Sequence, residues 1–100
     1  MIRVVIRENA VWAYGHSGRG PKGRDVVCAA VSMLMEATAA ALEQQDRLAL
    51  CYFGSGFGSI IAAEDCETLE VARQGFFLLA RHCGNDVKVK DLRTRRIRHA

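Results

Sequence analysis

The sequence predicts an α+β domain: about five mainly antiparallel strands and two helices in the order ββαββαβ. Two long apolar segments that start after an Asp read as helices. Short β-branched and aromatic runs on either side of them read as strands. Two short turn clusters, Glu8-Asn9-Ala10 and Gly54-Ser55-Gly56-Phe57-Gly58, make hairpins of the runs they join.

The first run alternates, with Ile2, Val4 and Ile6 on one face and Arg3, Val5 and Arg7 on the other, so it is a strand with one wet face. Val11-Trp12-Ala13-Tyr14 is the second strand. Residues 15–24 hold four Gly and the single Pro, which excludes regular structure there. Asp25 is a helix N-cap, and the helix runs to about Gln45. This helix is apolar nearly all round, with Val27, Val31, Leu34 and Leu42 on one side and Ala30, Met33, Ala37 and Ala41 on another. Such a helix must be covered on several sides, in so small a domain by a second subunit as well.

Leu48 to Phe53 and Ser59 to Ala63 are apolar on both faces, the pattern of central strands. Asp65 is expected to cap a second helix that ends near Cys83 with Gly84 as its stop. Its stripe is Leu69, Ala72, Phe76, Leu79 or Ala80, and Cys83. Val87 to Lys90 is a short last strand with one wet face. The layering expected from these faces is an α/β/α sandwich; both helices on one face is the alternative.

One hundred residues form one domain, over 1–92, followed by a basic tail, 93–100. Half the residues are hydrophobic and a quarter charged, which excludes intrinsic disorder. The longest apolar stretch, Val26 to Leu42, is Ala-rich and interrupted by Ser32, Glu36 and Thr38, so no membrane partner is expected. The alternating start lacks the apolar core of a secretory signal. Cys28, Cys51, Cys66 and Cys83 form no CxxC and read as reduced cytoplasmic thiols. Cys and His are too scattered for zinc, and no metal or cofactor is expected.

The formal net charge of +3 conceals an asymmetry. Residues 88–100 carry six cations against Asp91, five net positive charges, so the rest sums to −2. The basic character belongs to the tail, which is either a solvated end or a ribosome- or RNA-binding arm. It has no aromatic residue for base stacking.

The chemistry concentrates between Gly15 and Ser32. His16 ends a strand and Cys28 lies in the first turn of a helix, with a glycine-rich loop between them. A thiolate is the nucleophile in cysteine chemistry, and a helix N-terminus favours negative charge. An adjacent imidazole takes the thiol proton and returns it to a leaving amine. The first-turn amides at about Ala29 and Ala30 are candidate oxyanion donors. A buried structural cysteine and a surface histidine are the plain alternative. The loop also spells GxGxxG from Gly18 to Gly23, but the chain is too short for a dinucleotide domain and lacks the ribose-binding acid.

Gly15-His16-Ser17, followed by Gly23-Arg24-Asp25-Val26-Val27-Cys28-Ala29-Ala30-Val31-Ser32, resembles the ribosomal-processing cysteine proteases of the Prp family. Their signature reads Gly-His-Ala, then Gly-x-Asp-Ile-Val-Cys-Ala-Ala-Val-Ser. The resemblance extends over nearly the whole chain. It implies a cytoplasmic, homodimeric endopeptidase that needs neither metal nor nucleic acid. Its substrate would be the N-terminal extension of a large-subunit ribosomal protein, number twenty-seven, cut after a pair of Phe. Carried over, Cys28 is the nucleophile and His16 the general base. Asp25 helps position His16 or is a plain N-cap. Ser32, one turn from Cys28, is auxiliary or bonds back to its own helix. Gly15, Gly18, Gly20 and Gly23 serve as hinges of a lid. The departures are Ser17 in place of Ala and the cations Arg19, Lys22 and Arg24 in the loop. The turn from Gly54 to Gly58 is either a substrate-side rim, through Phe57, or only a turn. Cys51, Cys66 and Cys83 read as packing residues. The rival readings are a non-enzymatic ribosome- or RNA-associated protein that binds through its tail, and a redox-sensing thiol at Cys28.

Overall fold

The computed structural model describes residues 1–16 and 26–94. Strands β1 (Ile2–Ile6) and β2 (Ala10–Gly15) form the opening hairpin, with Val4 paired to Ala13. Helix α1 covers Val26–Gln44. A second hairpin, β3 (Leu48–Gly54) and β4 (Phe57–Ala62), precedes α2 (Glu67–His82) and β5 (Val87–Asp91). The expected order ββαββαβ forms. The sheet order is β3-β4-β2-β1-β5, antiparallel except for the parallel pair β1–β5.

The favoured α/β/α layering does not form. Both helices pack on one face of the sheet, the alternative arrangement. Alternation decides which side chains meet them: Ile2, Val4 and Ile6 of β1, Val11 and Ala13 of β2, and Ile60 and Ala62 of β4 are buried, and their strand neighbours turn the other way. The helices touch each other directly. A β-carbon on Gly75 of α2 would stand 2.6 Å from Leu34 Cδ2 of α1. One core results, centred on Phe76, Met35, Leu42, Ile6 and Leu69, each fully buried.

By length and composition α1 could cross a membrane. In the fold it is instead the central core helix. Val27, Val31, Met35, Ala39 and Leu42 are buried, while Met33 on the opposite side is 65% exposed. Thr38 is buried because its hydroxyl donates back to the Leu34 carbonyl, 2.6 Å. The helix ends where Asp46 takes a positive φ of 58° and the Arg47 amide donates to the Leu42 carbonyl, 2.8 Å. An Asp adopts that left-handed conformation more readily than most residues.

Two further expectations are corrected. β3 is not central: it is the free edge of the sheet, and its apolar side chains Leu50, Tyr52 and Phe53 stay exposed. Only β4 of that hairpin is interior. Nor does Asp65 cap α2. The N-cap position belongs to Cys66, which makes no side-chain cap bond. Asp65 instead accepts a hydrogen bond from Arg73, 2.9 Å. Arg73 is only 2% exposed and also donates to Glu70, 2.9 Å. A buried guanidinium has to be paired, and two carboxylates outweigh one cap bond.

Arg93 and Thr94, the first residues of the basic tail, are tied to the domain. Arg93 binds Asp91 at 2.7 Å, and the Thr94 amide donates to Glu8 at 3.0 Å. Residues 95–100, the rest of that tail, lie outside the described residues.

Candidate active site

Strand β2 carries the chain to Gly15, whose φ of +103° suits glycine. A side chain there would also collide with the Met1 carbonyl. The Gly15 amide donates to the Gly56 carbonyl, 2.9 Å, which pins the end of β2 to the β3–β4 turn. The Met1 nitrogen donates to the His16 carbonyl from the other side. His16 therefore leaves the sheet at a position fixed by its own carbonyl and by the amide of Gly15 before it. Its ring lies against Gly56, with Nε2 2.7 Å from where a β-carbon would be.

Cys28 lies in the first turn of α1 and is partly buried. His16 and Cys28 line one open cavity of about 90 Å³. Val31, Met35, Phe53 and Phe57 form its apolar walls, and Ser32 adds a hydroxyl. The tertiary structure therefore brings together His16, Cys28, Ser32 and Gly15. Among the two readings of the β3–β4 turn, the rim is the one that matches its place: Gly56, Phe57 and Gly58 all line this cavity. A larger depression of about 540 Å³ beside Cys66 has no histidine among its lining residues.

Phe53 and Met35 were not evident as site residues from the chain. Phe53 comes from the edge strand, and only the pairing Phe53 with Gly58 brings it across. Met35 follows Cys28 by two helical turns on the same face, and that spacing was the available signal. The helix starting at Val26 places the Ala30 amide opposite the Val26 carbonyl, inside its hydrogen-bond ladder. The amides of Val26 and Val27, in the first turn, have no acceptor within the helix itself. Asp25, Ser17, Arg19, Lys22 and Arg24, and the hinge glycines Gly18, Gly20 and Gly23, lie outside the described residues.

Chemically, the cavity offers a thiol at a helix N-terminus, an imidazole, a hydroxyl and an aromatic wall. No cluster of three or more metal-binding side chains occurs among the described residues.

The family model described as cysteine protease Prp matches residues 1–88. No curated protein matches the chain significantly by sequence. Among solved structures, the ribosomal processing protease Prp from S. aureus with a covalently linked product peptide superposes with a TM-score of 0.80. It is 18% identical, over 91% of this chain and 99% of that one. The same S. aureus protease with a substrate peptide gives 0.74 at 17% identity, over 91% and 99%. SMU.848 from Streptococcus mutans gives 0.69 at 26% identity, over 93% of each chain.

Proposed function

The chain belongs to the Prp family of cysteine proteases, and on that premise we propose that it is a ribosomal-protein processing endopeptidase with a Cys28–His16 dyad. The observation that carries this reading is the shared cavity: thiol and imidazole, from separate elements, line one apolar-walled opening. The S. aureus structures with product and substrate peptides support a peptide as the ligand.

In this reading His16 takes the Cys28 proton, and the thiolate sulfur adds to the scissile carbonyl. The oxyanion forms beside the N-terminus of α1, where the helix dipole favours it. The His16 imidazolium gives its proton to the leaving amine, and the C–N bond breaks. A water, deprotonated by His16, then cleaves the thioester and restores the thiol. The walls of Phe53, Phe57 and Met35 receive an aromatic side chain next to the cut bond. This supports the N-terminal extension of ribosomal protein number twenty-seven, cut after its pair of Phe, as the substrate.

The enzyme acts as a homodimer in this proposal. Ala29, Met33, Ala37 and Ala40 leave one side of α1 uncovered. A reducing cytoplasm is its compartment, in keeping with four cysteines that form no disulfide.

The test is mass spectrometry of a peptide copying that extension, incubated with reductant and the wild type, Cys28→Ala or His16→Ala. One cut after the Phe pair, made by the wild type alone, is expected. Cleavage that survives Cys28→Ala would sink the dyad, and an intact peptide with folded wild type would sink the substrate assignment.

A further inference from the structure

Among the described residues neither helix covers the far face of the sheet, and its side chains are sorted. In register across the strands, one row reads Lys88 on β5, Arg3 on β1, Tyr14 on β2 and Phe57 on β4. The next row reads Lys90, Val5, Trp12, Ser59 and Tyr52. Each row runs from cation to aromatic ring, and neither contains an acid. Lys88, Arg3 and Lys90 are exposed and belong to no ion pair among the described residues. Tyr14 is 43% and Tyr52 59% exposed. A depression of about 320 Å³ lies at the cationic end, between Arg3, Tyr14, Lys88 and Lys90.

Lys88 and Arg3 are direct cross-strand partners. Like charges so placed repel each other, and no acid among the described residues of this face neutralises them. A second copy stacked face to face would bring the same patch against itself. It would bury those cations with no acid to meet them, which is costly. A polyanion has the opposite balance. Rings standing one strand, about 5 Å, from a row of cations also ask for flat groups attached to that polyanion.

We propose that this open face binds single-stranded RNA, with phosphates along Arg3, Lys88 and Lys90 and bases stacked on Trp12 and Tyr14. Stacking on exposed rings of a sheet is one of the ways proteins hold unpaired bases. The hydroxyls of Tyr14 and Ser59 stand among the rings, where they can reach ribose 2′-hydroxyls. The face adjoins the Cys28 cavity, whose lining includes Tyr14 and Phe57, so RNA and peptide would meet at that end of the sheet.

Trp12 is the only tryptophan of the chain and reports on its own face. The full-length protein is titrated with an unlabelled twelve-nucleotide A/U-rich RNA while Trp12 emission is followed. A fluorescein-labelled copy gives the affinity by anisotropy. Quenching of Trp12 is expected, with affinity falling about 20-fold between 50 and 200 mM salt for three phosphate contacts. Lys88→Glu with Lys90→Glu should weaken binding at least tenfold and flatten the salt dependence. Thermal melting and peptide cleavage of this variant should match the wild type. Tighter binding of the RNA than of a DNA of the same sequence is expected, and equal affinity would overturn the assignment to RNA. Absence of quenching by folded wild type would overturn the proposal. So would binding lost on removing residues 95–100 but kept in the double variant, which would move it to the tail. Sedimentation showing that Leu50→Glu with Tyr52→Glu splits a dimer, with no RNA bound by the wild type, would assign the face to a second copy.

Discussion

His16 Nε2 stands 2.7 Å from the place a β-carbon on Gly56 would occupy. The ring of the proposed base is seated on a bare stretch of backbone in the β3–β4 turn. Gly56 also has a φ of +72°, so two separate reasons favour glycine there. They can be told apart, because Asn tolerates the left-handed backbone far better than Ala yet carries the same β-carbon. Gly56→Ala and Gly56→Asn should both lower kcat/KM for the peptide by about tenfold or more, since small misplacements of a reacting group cost that much. Only the Ala variant should lose appreciable thermal stability. Wild-type turnover by the Asn variant would show that the contact does not position His16.

Phe53 is 40% exposed and lines the cavity from the edge strand. Phe53→Ala should cost the fold less than about 1 kcal/mol, as for a side chain still open to water. Its effect should fall on KM more than on kcat. A peptide with Ala in place of the Phe before the cut should lose little further in this variant. Equal losses for both peptides in steady-state kinetics would remove Phe53 from the aromatic wall.

Glu70 accepts hydrogen bonds from Gln74 and Arg73 and lies near Arg93, and these hold its carboxyl below the ordinary value of 4.5. A group lowered in the folded state stabilises above its unfolded value, and that stabilisation is lost as pH falls through the folded one. The melting temperature should therefore stay level from pH 8 to about 5 and decline below about pH 4.5. Glu70→Gln should melt lower at pH 7 and lose less on acidification. Identical acid limbs for the two proteins in thermal melts would refute this.

Gly75 lets α2 approach Leu34 of α1, where a β-carbon would come within 2.6 Å. Ala exchanges that crowding against a better helix former, and Leu34 can move its terminal methyl. Gly75→Leu has no such compensation and should destabilise by about 1–3 kcal/mol. A lower urea midpoint at constant slope is the expected readout. An unchanged midpoint would mean that the helices do not meet at this point.

The chain by itself determined the element order, because periods of 2 and 3.6 are properties of local sequence. Ile2, Val4 and Ile6 declared a half-buried strand, and Val27, Val31 and Leu42 a core helix. The His16 and Cys28 pair was legible too, through a ten-residue block whose resemblance covers nearly the whole chain. Neighbours were not legible. A strand apolar on both faces reads the same at the centre of a sheet and at its rim beneath an open face, and β3 is the second case. Nothing local to Arg73 shows that Asp65 and Glu70 will meet it in the interior.

Only the tertiary structure decided that both helices share one side, that β3 is an edge, and that Phe53 and Gly56 line one cavity with His16 and Cys28. The reason is that periodicity says which side chains share a face but not which faces meet. Here that choice rested on a helix–helix contact at Gly75 and on the register of β2 against β4, both made by residues far apart in the chain.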